Sequence, residues 1–381
     1  MHRSLKWLES RLKTELDGQN ITALLHWVEV ARTTPPVLFV GAGFSLNSRP
    51  KPGGKRMSSF GRLISALATD LGDGEDAHVT DAPWVAEKHR TLFGEHTYVR
   101  RIREAVPDDD VEPGEEHDAL TNISWKAVLT LNYDTLLERA FKTSRVVTFQ
   151  DQLVDCGRGD APHVVHLHGH IHFPDTMVLS LEDYRKYPTK CAGFVTYTRN
   201  LLMMHPALFL GFGANDSNFV AWSGWIQDLV RTHAPPWIRL DPSGGDEGLR
   251  AYWAPRMTTY KYDPKPRADD RQFVTILDIL RKGTEELTKE GQKEYIADLL
   301  ERPKDTNSPE AIAAWISDAV TTVLDLHPGD GMRDGRFAQV RMDMAQGVLR
   351  ALIQPDALSR LCVDIRPSLS LIHISEPTRP Y

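Results

Sequence analysis

Apolar residues recur along this chain in two rhythms. Between residues 4 and 31, Leu5, Leu8, Leu12, Leu16, Leu24, Leu25, Trp27 and Val28 fall mostly three or four positions apart, the spacing of a buried stripe on one or two amphipathic helices. Pro35 and Pro36 end that stretch. Short uninterrupted apolar runs then take over, each stopped by small or polar residues. Val37–Ser45 (VLFVGAGFS) runs into a glycine turn, and the following SSFGRLISALATDLG has a helical period with Ser58 or Ser59 as its N-cap. KAVLTLNYDTLLERAF repeats the order of strand, polar junction and helix, and His163–Ile171 (HVVHLHGHI) predicts a strand closing on a His-Gly turn. Ala207–Phe219 (ALFLGFGANDSNF) ends an apolar run in glycines ahead of a tryptophan-rich helix, and PPWIRLDPSGG gives one more strand stopped by Asp241-Pro242. Apolar runs without alternation, with helices between several of them, predict an α/β fold built on a doubly wound parallel sheet. Ligands of such sheets bind where the carboxyl ends of the strands open.

From about Arg267 onward helix-like stretches such as SPEAIAAWISDAVTTVLDL replace the glycine-terminated strands. The expected organisation is an N-terminal helical extension over residues 1–35, a ligand-binding α/β domain over 36–266 and a C-terminal helical module over 267–366. Residues 367–381 follow no helical period and resemble read-through of a sequencing adapter, so they are set aside as a non-native tail, which leaves the authentic C-terminus open.

Charge and cysteine content narrow the function classes. The 381 residues carry a formal charge of −7, which argues against a broad phosphate-neutralising surface, so nucleic acid is not expected as a partner by itself. Cys156, Cys191 and Cys362 form no CxxC and no pairable spacing, which fits a reducing compartment and leaves too few thiolates for a four-cysteine zinc module. The opening residues lack an apolar core of signal-peptide length, and no run approaches ~18 uninterrupted apolar residues. The expectation is a cytoplasmic protein without a membrane span.

The strand ends supply the candidate chemistry. Gly41 and Gly43 would let backbone N–H groups approach a pyrophosphate, with the Ser45 hydroxyl nearby, although a plain tight turn fits the same residues. Leu46 stands where a hydride-transferring Rossmann motif has its third glycine, and no GK[ST] follows, so a P-loop is disfavoured. Asn132 can donate and accept at once, to a ribose hydroxyl or a water, and Asp134 can accept from ribose hydroxyls. Equally, Asp134 or Thr135 caps the next helix and Asn132 forms the turn. His166, His168, His170 and His172 lie at steps of two, so on an extended strand all four share one face. His168 then serves as a general base beside Gly169, or His166 and His168 form an HxH metal pair, or the group is a polar strand end of hydrogen-bonded histidines. Asn215, Asp216 and Asn218 could hold a second phosphate or ribose, with helix capping by Asp216 or Ser217 as the alternative; Asp241 could take a ribose hydroxyl but reads more readily as a turn residue. Trp222, Trp225, Trp237 and Trp253 could form an interface, although core packing accounts for most tryptophans.

Taken in order, GAGFS, LNYD, LHG and GFGANDSNF resemble the signature blocks of the sirtuin-like NAD-binding domain, in the divergent bacterial branch associated with antiphage defence, over Val37 to Asp241. The resemblance implies a Rossmann-like, sirtuin-type fold with N- and C-terminal helical additions. It implies NAD+ as substrate, with Gly41, Ala42, Gly43 and Ser45 at its phosphates, Asp134 by the nicotinamide ribose, and Gly211, Gly213 and Asp216 toward the adenosine half. Asn132 and His168 become the catalytic pair. Two departures bear on the reaction: the four-cysteine zinc module of deacetylating sirtuins is missing, and LNSRPKPGGKRM (Leu46–Met57) replaces the usual GIPDFR-like continuation. Both favour plain, metal-free NAD+ hydrolysis over protein deacetylation. The expected protein is a NAD+ glycohydrolase and NAD-depleting effector, forming a homo-oligomer, with a HerA-type hexameric ATPase as the partner the branch suggests. Its rivals are an HxH metal-dependent hydrolase and a non-catalytic module sensing NAD or ADP-ribose.

Overall fold

A computed structural model describes residues 5–72, 81–142, 145–156, 162–265 and 271–284. Helices α1 (Leu5–Glu15) and α2 (Thr22–Ala31) precede β1 (Val37–Val40). Then come β2 (Arg49–Pro50), α3 (Phe60–Asp70), α4 (Ala82–Ala105), β3 (Val111–Glu112), α5 (Glu115–Leu120), β4 (Ala127–Thr130), α6 (Leu136–Ala140), β5 (Val146–Val147) and β6 (Val164–His166). The described chain continues through α7 (Leu181–Lys190), α8 (Ala192–Met204), β7 (Ala207–Leu210), α9 (Ser217–Val230), β8 (Trp237–Asp241), α10 (Glu247–Trp253), β9 (Met257–Lys261) and α11 (Gln272–Thr284). Residues Leu8–Thr284 form one compact unit.

Seven strands make one sheet in the order β5-β6-β4-β1-β7-β8-β9, and every neighbouring pair in it is parallel. Val37 of β1 lies opposite Ala127 on one side and Ala207 on the other. Every residue of β1, β4 and β7 is buried, because helices cover both faces, and this is why these strands read as unbroken apolar runs. From β1 the chain moves to β4, out to the edge strand β5 and back in to β6, then crosses to lay β7 on the other side of β1. That reversal is a topological switch point, where strand ends part and leave a crevice.

Aromatic packing fixes the loops around the crevice. Phe39 of β1 meets Phe209, Phe212 and Phe219 at 5.3, 5.0 and 5.6 Å between ring centres. Burying each such ring is worth roughly 2–3 kcal/mol, so the loop after β7 and the start of α9 are anchored to the central strand. Trp222, Trp237 and Trp253 join the same core. Trp225 is the exception: it is 40% exposed, with the Arg199 guanidinium 4.8 Å above its ring.

The N-terminal periodicity is a real stripe, since Leu8, Leu12, Leu16, Leu24, Leu25, Trp27 and Val28 are all buried. The indole N–H of Trp27 donates to the Ala207 carbonyl at 3.1 Å, tying α2 to β7. In α11 a Cβ at Gly283 would meet Val28 at 2.8 Å, so the glycine lets this helix settle against α2. Ser59 is the N-cap of α3, accepting from the Arg62 amide. No helix among the described residues is long and apolar enough to cross a membrane. Past Thr284, the expected C-terminal module and the 367–381 tail lie outside the described residues.

Candidate functional site

The two glycine loops at the switch point interlock. The Gly41 amide donates to the Leu210 carbonyl and the Gly43 amide to the Gly211 carbonyl, both at 2.9 Å. A Cβ on Gly41 would sit 2.7 Å from the Gly211 oxygen, and one on Gly211, whose φ is 57°, would sit 2.0 Å from the Phe44 amide. Loop-to-loop contact therefore demands these glycines, and the amides of Gly41 and Gly43 face the neighbouring loop. Ala42 is half-buried, while Gly43 and Gly213 are exposed along the carboxyl edge of the sheet.

Next to this bend, Asn132, Ser45 and Asp134 form a buried chain of hydrogen bonds. Thr130 begins it, giving its hydroxyl to the Val40 carbonyl and accepting the Asn132 amide. The Asn132 amino group donates to Ser45 Oγ at 2.9 Å and to the Gly41 carbonyl at 3.2 Å, and Ser45 Oγ donates to Asp134 Oδ2 at 2.7 Å. Because a backbone carbonyl can only accept, the Gly41 contact fixes which end of the side-chain amide points where. Asn132 Oδ1 is left as a buried acceptor with no hydrogen-bond partner among the described residues. Asp134 also accepts the Leu136 amide at the start of α6, and burial pushes its carboxyl above the usual range. Capping and site-building are thus served by one side chain. Beneath the chain, Asp108 takes both the amide and the hydroxyl of Thr135 and pairs with Arg139 at 3.0 Å.

The histidines do not share a face. Strand β6 ends at His166, because the chain turns from Leu167 through Gly169, whose φ is 94° and whose missing Cβ would lie 2.3 Å from the Thr176 carbonyl. An expected strand over His163–Ile171 is therefore cut to three residues, and the period of two fails beyond it. His166 points to α6: its Nδ1 is 3.0 Å from the Asn132 carbonyl and its Nε2 is 3.0 Å from Glu138 Oε2. His170 joins it, with Nε2 3.2 Å from Glu138 Oε1, while His172 is exposed. Burial alone would raise the Glu138 carboxyl, but the hydrogen bonds from His166 and His170 hold it at about 2.

The HxH pair of His166 and His168 is consequently not formed. The ligand atoms that come within 4.8 Å of one another belong instead to Glu138, His166 and His170. Their wiring favours protons over a cation. His170 Nδ1 accepts the His172 backbone N–H at 3.2 Å, which puts the ring proton on Nε2, and a ring so arranged donates to Glu138 rather than ligating a metal.

His168 turns the other way, toward α7 and α9. It is buried, with Nε2 3.3 Å from the Asn218 amide group and Nδ1 4.0 Å from Asp216 Oδ2. Tyr184 and Tyr187 stand edge-on to the ring at 5.5 and 5.4 Å. Burial lowers the pKa of His168, with Asp216 and Asp183 opposing, so the ring is held neutral near pH 7. Asp216 caps α9 through the Phe219 amide and accepts the Tyr184 hydroxyl at 2.7 Å. Asp241 forms the expected turn, accepting from the amide and hydroxyl of Ser243.

Asn132 and His168 thus occupy the ends of adjacent strands, β4 and β6, paired through Thr130 and His166. Among the described residues no hydrogen bond joins their side chains directly. Glu138, Asp108 and Tyr184 are parts of the site that sequence reasoning missed; Glu138 lies in the first turn after the LNYD junction, where a helix start meets the crevice, and that position was the available signal. A cleft of about 840 Å³ lies beside this region, lined by Lys55, His96, Arg103, Ile171 and His172 rather than by the glycine loops.

Residues 126–259 match the SIR2-like domain family, a span that holds Asn132, His168 and Asp216 but not the first glycine loop. NAD(+) hydrolase ThsA of Acinetobacter baumannii (strain 532279) is 29% identical over 203 residues, covering 51% of this chain and 39% of that protein. NAD(+) hydrolase ThsA of Bacillus cereus (strain MSX-D12) is 25% identical over 192 residues, 48% of this chain and 37% of that one. Defense-associated sirtuin 2 of Bacillus subtilis is 24% identical over 242 residues, 60% of this chain and 23% of that one. The matched part of this chain spans at most 39% of the length of these curated relatives. Among solved structures, a Sir2 homolog–NAD complex aligns over 68% of this chain and 94% of that chain at 15% identity, with a TM-score of 0.36.

Proposed function

We propose that this chain is a NAD+ glycohydrolase that breaks the nicotinamide–ribose bond and acts in bacterial antiphage defence by depleting NAD+. The relatives named as NAD(+) hydrolases support the substrate, and one structural observation carries the site: the unpartnered oxygen of Asn132. A buried acceptor left unpaired costs about 1–3 kcal/mol, a penalty that a hydroxyl or water brought by a ligand removes. Its amino group is already fixed to Ser45 and the Gly41 carbonyl, so the oxygen is presented without rotational freedom.

In the reaction, the electron pair of the C–N bond leaves with nicotinamide, whose ring nitrogen becomes neutral, and positive charge develops on the ribose. Asn132 Oδ1 orients the attacking water or a ribose hydroxyl against that charge. The water oxygen bonds to the sugar carbon and its proton passes to neutral His168. The products are nicotinamide, ADP-ribose and a proton. Asp134, with one oxygen on the Ser45 hydroxyl and the other on the Leu136 amide, holds Ser45 and the turn in place beside the ribose, and the exposed edge at Gly43 and Gly213 receives the phosphates.

The test is nicotinamide release by the purified full-length chain. Wild type should release it with or without chelator, and Asn132→Ala and His168→Ala should each slow release by at least ~100-fold, within the range of a lost general base or oriented dipole. Release unchanged in both variants would overturn the reading. Chelator-sensitive release would point to metal-dependent hydrolysis, and tight nucleotide binding without turnover to a sensor.

A further inference from the structure

Asp216 carries more of the site than its place after GFGAN implies. Both of its oxygens are committed inside the protein: Oδ1 caps α9 through the Phe219 amide at 3.0 Å, and Oδ2 accepts the Tyr184 hydroxyl at 2.7 Å. A ribose hydroxyl would compete with both bonds. The same Oδ2 lies 4.0 Å from Nδ1 of His168, and the Tyr184 ring stands perpendicular to the imidazole at 5.5 Å. Opposite, the Asn218 amide group meets Nε2 at 3.3 Å.

The backbone of His168 is clamped as firmly as its ring. Tyr187 gives its hydroxyl to the Leu167 carbonyl at 2.8 Å, and the Val178 amide donates to the His168 carbonyl at 2.9 Å. A histidine needed only for packing would not require a carboxylate held in place by two donors.

We propose that Asp216, fixed by Tyr184, is a positioning residue for His168 rather than a contact to the adenosine half of the substrate. This rests on the NAD+ hydrolase reading and deepens it. The carboxylate keeps the ring proton on Nδ1, so Nε2 presents its lone pair, and Asn218 occupies that lone pair until substrate replaces it. When Nε2 takes the proton from the attacking water, the imidazolium is stabilised by Asp216, which itself stays ionised. The charged and titratable groups facing the ring are Asp216 before α9 and Asp183, Tyr184 and Tyr187 on α7. Asp183 is turned mainly to Arg90 and the Ser180 amide, at 3.0 and 2.9 Å, which leaves Asp216 as the carboxylate aimed at the ring.

Two readouts on the full-length chain test the assignment: steady-state kinetics with NAD+, and titration of His168 followed by NMR of ¹⁵N-labelled histidine. Asp216→Asn is the informative variant because asparagine caps a helix about as well as aspartate does, so α9 keeps its N-terminus. It should lower kcat roughly 10- to 100-fold, a part of the ~100- to 10,000-fold of a general base, with KM within about twofold. The His168 midpoint should fall, because a negative charge that favours the imidazolium has gone. Tyr184→Phe should move both readouts in the same direction by less, and it serves alone if Asp216→Asn does not fold. A tenfold rise in KM with kcat intact would make Asp216 an adenosine contact and overturn the proposal, as would an unmoved His168 midpoint. If wild type releases no nicotinamide, the hydrolase reading fails, while the His168 midpoint in Asp216→Asn still decides whether the carboxylate acts on the ring.

Discussion

His166 and His168 stand two residues apart, both buried, and the structure gives them opposite situations. His166 is saturated: one nitrogen meets the Asn132 carbonyl and the other Glu138, each at 3.0 Å. His168 is held but not saturated, with an amide near one nitrogen and a carboxylate 4.0 Å from the other. A saturated ring stabilises and orients its neighbours; a ring with a replaceable partner can exchange a proton with substrate. The difference arises where the strand stops: after His166 the chain leaves extended backbone in a turn over Leu167 and His168 that continues through Gly169, so successive even-numbered histidines face α6, then α7 and α9, then α6 again.

Replacing each ring separates the two situations most sharply. His168→Ala should abolish most nicotinamide release and, because it gives up no hydrogen bond to a charged group, lower the melting temperature less than His166→Ala does. His166→Ala should do the reverse. Loss of a buried hydrogen bond to a charged group costs about 1.5–3 kcal/mol, which for a unit of this size lowers the melting temperature by roughly 3–10 °C, with release per folded molecule falling less than tenfold. Equal damage to stability from the two substitutions, read by thermal melts beside the assay, would erase the distinction.

Acid extends the comparison. Glu138 is depressed from its ordinary 4.5 to about 2, so its stabilising share is fully present above pH 4.5 and is lost as pH falls through about 2. Chemical-denaturation midpoints should therefore drop between pH 6 and 3 by the equivalent of roughly 1–2 kcal/mol more in wild type than in Glu138→Gln. Parallel pH curves for the two proteins would show that Glu138 is not held by its histidines. The smallest effect should come from metal: since His170 is wired as a donor, stoichiometric Zn²⁺ or excess chelator should shift the melting temperature by less than about 2 °C. A larger stabilisation by Zn²⁺ would replace the protons with a cation.

Much of this was legible because buried parallel strands have no polar face to obscure them. VLFV, ALFL and the run before Asn132 each announced a strand, and the glycines and amide ending them announced the carboxyl edge. The N-terminal leucines from Leu8 to Leu25 packed as their spacing suggested, and Trp222, Trp237 and Trp253 went into the core while Trp225 stayed exposed. What could not be read was any partnership made across sequence. Glu138 in LLERAF and Tyr184 in LEDYRKY look like ordinary helix-surface residues, and only the fold brings them to His166 and Asp216. The even spacing of the histidines misled for a physical reason: it presumes extended backbone, and the turn from Leu167 through Gly169 ends the extension. Likewise GAGFS suggested amides open to a phosphate, whereas those of Gly41 and Gly43 are given to the β7 loop.

A double-mutant cycle on nicotinamide release gives the most direct test of a shared site for Asn132 and His168. If both side chains serve one transition state, Asn132→Ala combined with His168→Ala should be scarcely slower than the worse single variant, as for residues acting as a unit. Losses that multiply in the double variant, or a cycle in which either single variant keeps the wild-type rate, would mean that the two strand ends do not work on the same sugar carbon.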